Sequence, residues 1–372
     1  MFAKSILQPT FPFKQIVLKP TSLARSFVST HVFQFQEKDE RHKGDHYCLV
    51  PNRSLIELDG HDTAKFLQGL ITNHMPKISP GGDGFYTAFL TPSGRMLYDT
   101  FIYPVNVGVN FPHPKFLIEC PTSSKQELIK HLRRYLLRSK IKIRDCSDEY
   151  KLWQIWGPSL RSFSDPKLVK ERVRISDIGC HDPRIQGFGY RAILKAEQEV
   201  QTVLPQPTAG NFEELDRSEY TIRRILHGLP EGPDDIWPEA SLPLESNFDY
   251  MNGGIDFRKG CYVGQELTIR TYHTGVVRKL QSVDRSKDVP SVLLPQTEIK
   301  LVDGMSKKSV GKMGSGIHNI GLALMRLEHV QKSITDPTVL FKIPENESIR
   351  IKPFLPEWWS VEETENKNNI SI

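Results

Sequence analysis

The chain of 372 residues is long enough for two or three domains, and its 38% hydrophobic and 25% charged residues suit a soluble globular protein. No apolar run approaches the roughly 20 residues that span a bilayer. The formal charge is +5, but Lys4, Lys14, Lys19 and Arg25 lie in the first 36 residues, which hold no Asp or Glu, so setting them aside leaves about +1. Neither a membrane nor a nucleic acid is therefore expected as a partner.

The acid-free opening also carries Ser5, Ser22, Ser26 and Ser29 among scattered apolar residues. That is the composition of a mitochondrial transit peptide. Pro9, Pro12, Lys14 and Lys19 interrupt any continuous apolar stretch of the secretory kind. Residues 1–36 are thus expected to deliver the chain to the mitochondrial matrix. Cys48, Cys120, Cys146, Cys180 and Cys261 are widely spaced and form no CxxC pair, which argues against a disulfide framework or a self-contained zinc or cluster site.

A first α+β unit is expected over residues 45–150. Leu55 to Asp59 alternates like a strand, and Asp62 can cap a helix carrying Ala64, Leu67, Leu70 and Ile71. Phe85 to Leu90 and Arg95 to Val105 read as a hairpin whose turn, Thr91-Pro-Ser-Gly94, fits type I. On its second strand Leu97, Asp99, Phe101 and Tyr103 share a face, so Asp99 must be partnered or have its pKa raised by burial. Ser124 and Glu127 form a capping box for a helix through Leu128, Leu132, Tyr135 and Leu136. The cations Arg133, Arg134, Arg138, Lys140, Lys142 and Arg144 that follow read as a solvated face.

A second α+β unit is expected over residues 151–272. Leu152 to Trp156 and Tyr190 to Lys195 are strand-like, Asp182-Pro-Arg184 is a turn, and the adjacent Cys180 and His181 are poorly disposed to chelate one ion. Asn211 and Glu214 are expected to open a helix carrying Leu215, Tyr220, Arg223, Ile225 and Leu226, ended by Gly228. Pro230, Pro233, Pro238 and Pro243 make the next loop extended and stiff. Then Gly260 and Gly264 bracket Cys261, Tyr262 and Val263 in a shaped turn. Arg258 and Lys259 stand just before the cysteine, one glycine away, where fixed positive charge favours the thiolate, the form that attacks and binds metal. An inert buried cysteine is the competing reading. Thr268 to His273 alternates like a strand. Short strands at Val276-Val277, Glu298 to Val302, Gly311-Lys312 and Ile320 to Arg326 predict a small β-barrel over residues 273–345, with 346–372 as a mobile tail.

Lys259-Gly-Cys-Tyr-Val-Gly-Gln-Glu266 resembles the signature of the YgfZ/GcvT family, folate-binding relatives of the glycine cleavage T-protein, and most closely its mitochondrial iron–sulfur assembly branch. Gly60-x-Asp62 with Phe66-Leu-Gln68 and Thr72-Asn73, the hairpin around Tyr98-Asp99, Leu136-Leu-Arg-Ser-Lys140, Leu242-Pro-Leu-Glu-Ser-Asn247, and Val310-Gly-Lys-Met-Gly-Ser315 with Gly321 to Arg326 are similar to further blocks in the family's order.

The resemblance implies two mixed α+β units and a small β-barrel, arranged as a T-protein-like ring around a folate-type channel. It implies a matrix factor that helps mature 4Fe–4S proteins together with A-type cluster carriers. Cys261 would be the working thiol, sharing an iron–sulfur cluster with a partner. Glu245, Asn247, Arg223, Tyr262 and Gln265 would be tetrahydrofolate contacts, a carboxylate being able to accept two hydrogen bonds from an aminopyrimidine edge. The alternative is a folate-dependent one-carbon transferase using Asp99. The T-protein pattern has two adjacent acids there, and Tyr98 replaces one of them.

Overall fold

The computed structural model describes residues 44–105, 115–160, 175–204, 212–251, 254–275, 278–285, 293–302 and 308–356. The expected presequence, Asn211, Val276-Val277 and residues 357–372 lie outside these segments.

The first sheet is antiparallel. It comprises β2 (Arg53–Asp59), β3 (Phe85–Leu90), β4 (Met96–Pro104), β5 (Lys115–Pro121) and β6 (Lys142–Asp145) in the order β3-β4-β5-β2-β6. Alternation along these strands divides their side chains between two cores. Phe85, Phe89, Ile102, Phe116 and Ile118 pack beneath the helices α1 (Thr63–Gln68) and α2 (Lys125–Tyr135). Tyr86, Ala88, Phe101, Tyr103 and Leu117 face the other way, into a core shared with the second sheet. Leu97 leaves the face of Phe101 because the register shifts between Phe89 and Leu90. Neither expected cap makes a cap bond. Ser124 ends a 3-10 turn running straight into α2, and the Asp62 carboxylate accepts from Lys140 N at 2.8 Å instead.

The second sheet comprises β1 (His46–Leu49), β7 (Tyr150–Trp156), β8 (Ile178–His181), β9 (Tyr190–Lys195) and β10 (Glu213–Glu214), ordered β10-β1-β7-β9-β8. The strand that opens the folded chain therefore joins the sheet formed after residue 150, pairing antiparallel with β7. Glu214 does not open a helix. It lies in β10, parallel to β1, and α3 (Arg217–Leu226) begins after Asp216, whose carboxylate accepts from Ser218 N at 2.8 Å.

The segment after the prolines forms no strand at Thr268–His273. It is a helix, α4 (Gln265–Thr274), entered from Gly264 at φ +82° and left at Gly275 at φ +77°. The β-branched residues suggested alternation, but the buried pair is Thr268 and Thr271, one helical turn apart. Gly264 lies on the β3–β4 turn, where a Cβ would collide with the Thr91 carbonyl. A Cβ on Gly94 would fall 2.8 Å from the Gly264 carbonyl.

The closed barrel runs β11-β14-β13-β12-β15-β16, from β11 (Arg278–Arg285), β12 (Glu298–Leu301), β13 (Gly311–Ile317), β14 (Ile320–Arg326), β15 (Phe341–Ile343) and β16 (Asn346–Phe354), with α5 (Leu327–Thr335) between β14 and β15. Residues 346–354 are thus no tail. They form the strand that pairs with both β15 and β11 and closes the barrel, burying Ile349 and Ile351.

The two glycines of the signature turn should respond differently to one added methyl. Gly264→Ala should lower the unfolding free energy by about 2–4 kcal/mol, from positive-φ strain and backbone collision. Gly260 has open space around it, so Gly260→Ala should stay within about 0.5 kcal/mol of the parent. Urea denaturation of the two variants checks this, and equal losses would contradict it.

Candidate functional site

Lys259 turns inward, away from the cysteine it precedes. Its ammonium donates to the carbonyls of Gln68 (2.8 Å), Ile71 (2.6 Å) and Asn73 (2.8 Å), so each of its three N–H groups has an acceptor. Burial, with Asp256 opposing and Lys77 reinforcing, lowers its pKa to about 8. The expectation that Lys259 sustains a thiolate at Cys261 is corrected: its charge serves the loop connecting α1 to β3. Further bonds fix the same segment. Val263 N donates to Gly69 O, Asp256 N donates to Thr72 O, the Thr72 hydroxyl donates to Gly254 O, and Lys77 pairs with Asp256 at 2.8 Å. The signature segment is thereby docked on the Phe66 to Asn73 block.

Within this clamp Cys261 is exposed, whereas Cys48, Cys120, Cys146 and Cys180 are buried. Burial pushes the thiols of Cys48, Cys120 and Cys146 up to about 12 and raises that of Cys180 well above its ordinary value, making them inert. The buried-cysteine reading of Cys261 fails. Phe257, Ile269 and Tyr272 are exposed on the same segment, with the Phe257 and Tyr272 rings 4.2 Å apart. Among the described residues no group of three His, Cys, Asp or Glu side chains could hold a metal ion. One thiol without local co-ligands fits a cluster shared with another protein, and does not fit one held by this chain alone.

Asp99 is fully buried elsewhere, in a lattice of charges between the two sheets. Arg53 bridges Asp99 (2.8 Å) and Glu119 (2.7 Å), and Gly232 N donates to the other Asp99 oxygen at 3.0 Å. Arg191 reaches Glu119 at 2.5 Å, Arg184 pairs with Asp182 (2.7 Å) and Glu231 (2.8 Å), and the Tyr220 hydroxyl donates to Glu231. Burial raises the Asp99 carboxyl above its ordinary value, with Arg53 pulling against it. Burial also opposes ionisation of Glu231, but Arg53, Arg184, Arg191 and Arg224 outweigh it and hold that carboxyl well below the usual range.

The other named residues are divided. Tyr262 is buried in the core shared by Tyr86 and Phe248, and burial pushes its phenol up to about 12. The Gln265 side-chain oxygen accepts from Tyr262 N at 3.3 Å, which closes the turn. Glu245 accepts from Leu242 N at 3.4 Å, and Asn247 is buried at φ +62°. The Arg223 guanidinium lies over Trp156 (5.4 Å) and Phe188 (5.1 Å) and donates to the carbonyls of Gly187 and Phe188. Sequence reading missed Arg53, Glu119, Arg191 and Glu231. The available signal was the one that marked Asp99, a charge among apolar strand neighbours, as at Arg191 between Tyr190 and Ala192.

Residues 50–171 match the GCVT N-terminal domain, and residues 279–361 match the CAF17 C-terminal beta-barrel domain. The mitochondrial iron–sulfur cluster assembly factor IBA57 homologue of Neosartorya fischeri is 38% identical, with 84% of this chain and 81% of that protein aligned. Those of Coccidioides immitis (38% identical, 90% and 88%) and Mycosarcoma maydis (34%, 83% and 84%) are similar over comparable lengths. Among solved structures, the glycine cleavage aminomethyltransferase T of Bartonella henselae superposes with a TM-score of 0.61 over 87% of this chain and 89% of its own. At 11% identity, the two have the fold in common.

The lattice should reveal itself in acid. Because the folded pKa of Glu231 lies below the unfolded one, its stabilisation is complete above the ordinary carboxylate range and is lost progressively as pH falls from that range to the depressed folded value. Glu231→Gln should cost about 3–5 kcal/mol at neutral pH by leaving guanidiniums unpaired. It should also flatten the decline of stability below about pH 5. Unfolding free energies measured against pH check this, and parallel curves for parent and variant would contradict it.

Proposed function

The chain belongs to the mitochondrial iron–sulfur cluster assembly factors of the IBA57 type, and from that premise we propose that it works in the matrix as an assembly factor for 4Fe–4S proteins, presenting Cys261 to a partner. The observation that carries the site assignment is the contrast among the cysteines: four are buried, and the fifth is exposed on a clamped loop. On ligation the Cys261 thiol gives up its proton, and its sulfur supplies one coordination position on an iron of the partner's cluster. The remaining ligands come from that partner, which we assign to the A-type carriers. The cluster is cargo passing through this contact. Exposed Phe257, Ile269 and Tyr272 supply apolar surface on the same segment as the thiol for the docking protein.

Tetrahydrofolate is a proposed ligand of the same fold, with Glu245, Asn247, Arg223, Tyr262 and Gln265 as its contacts. Tyr262 is close in sequence to Cys261 and lies in the central core, so a bound pterin would bear on the loop that carries the thiol. The transferase reading asks Asp99 to act as a general acid or base, and the ion pair with Arg53 together with the Gly232 bond speaks against that role.

Cys261→Ser should leave stability within about 0.5 kcal/mol, since the residue is exposed, and should abolish maturation of aconitase-type 4Fe–4S enzymes in matrix extracts. Asp99→Asn should leave those activities in place, whereas a catalytic acid would cost about 10²–10⁴-fold. Loss with Asp99→Asn and retention with Cys261→Ser would reverse the assignment in favour of the enzyme.

A further inference from the structure

The turn between α2 and β6 presents an apolar side chain where the backbone disfavours one. Leu136 is the C-cap of α2, and Leu137, the next residue, adopts φ +43° with 90% of its surface exposed. That position after a helix is ordinarily taken by glycine or asparagine, because a Cβ is strained there. Neither packing nor local geometry accounts for a leucine. The turn itself is firmly held. Ser139 N donates to Leu136 O, Lys140 N donates to the Asp62 carboxylate, and a Cβ on Gly60 would collide with the Lys140 carbonyl. Its other apolar residues, Leu136, Ile141 and Ile143, pack against the helix-side core, so Leu137 alone in this turn points out.

Arg133, Arg134, Arg138, Lys140 and Lys142 surround it in sequence. All five are exposed, and none has an ion-pair partner among the described residues, while the neighbouring Arg144 is committed to Glu57 and Glu149. Arg133 and Arg134 complement the C-terminal dipole of α2, but that explains neither the other three cations nor the leucine.

An exposed apolar tip within a cluster of free cations has the chemistry of a peripheral membrane contact: the leucine enters the acyl boundary while the cations meet anionic headgroups. We infer that the α2–β6 turn docks on an anionic phospholipid surface. Such attachment is reversible and needs no spanning helix, of which the described residues contain none. Nucleic acid is the less favoured occupant, because no aromatic side chain is exposed in the turn to stack on bases.

The test is co-sedimentation of the purified full chain with phosphatidylglycerol-rich vesicles, using the same N-terminus in every variant so that its basic residues cancel. The variant Leu137→Gly suits the left-handed backbone, so it should fold at least as stably as the parent and bind about tenfold more weakly. Arg133→Gln/Arg134→Gln/Arg138→Gln should weaken binding about 100-fold, at about fivefold for each cation. Phosphatidylcholine vesicles should bind none of the proteins. Unchanged binding by Leu137→Gly, or no vesicle binding by the parent, would overturn the proposal. So would binding to single-stranded RNA that the arginine variant loses and Leu137→Gly keeps, in the absence of a vesicle effect.

Discussion

The two sheets are joined face to face through buried charge, and the positions of the later elements depend on that junction. Arg53, Asp99 and Glu119 come from β2, β4 and β5, while Arg191 comes from β9 and Asp182 and Arg184 follow β8. Four guanidiniums, counting Arg224 with its partner Asp235, face five carboxylates including Glu231. Such a lattice is a poor source of net stability, since desolvation consumes much of the attraction. What it supplies here is register, because no sliding of one sheet over the other keeps all of these pairs. Through Gly232 N on Asp99 and Arg224 on Asp235 and Ser315, it also fixes the proline-rich segment and the barrel hairpin β13 against the second unit.

That fixed path delivers residues 254–265 to the first unit, where Lys259 completes the docking. A half-buried ammonium with three carbonyl acceptors is well satisfied, and each carbonyl would otherwise stand without that donor. The cost of ordering the loop is met in the fold itself, so none of it falls on a binding partner. Cys261 is therefore presented in one position, two residues from a lysine that cannot move. The signature reads as a scaffold around an exposed thiol: Gly264 allows contact with the β3–β4 turn, Tyr262 plugs the central core, Gln265 closes the turn, and the cysteine stands outside.

Much of this was legible because it is local. The alternation that set Asp99 among Phe101 and Tyr103 correctly required a buried partner, and the glycine pair correctly announced a shaped turn around Cys261. The failures share a cause, in that the deciding contacts are distant in sequence. The carbonyls that claim Lys259 lie 186 to 191 residues earlier, whereas sequence alone sets its charge against its neighbour. The pairing of β1 with β7 likewise crosses a whole sheet. Thr268 to His273 has strand-like composition, and the anchoring of Gly264 on Gly94 overrides that preference to start a helix. The polar composition of residues 346–354 hides the alternate burial of Ile349 and Ile351, so in sequence they resemble a tail.

The central claim is that this chain completes a cluster site held mainly by another protein, through Cys261. The most direct measurement mixes the purified chain anaerobically with a cluster-loaded A-type carrier and follows visible absorption and molecular size together. The account predicts that the parent and the carrier elute as one species retaining cluster absorption, and that with Cys261→Ser carrier and cluster elute without this chain. A complex of unchanged size and absorption with Cys261→Ser would contradict it.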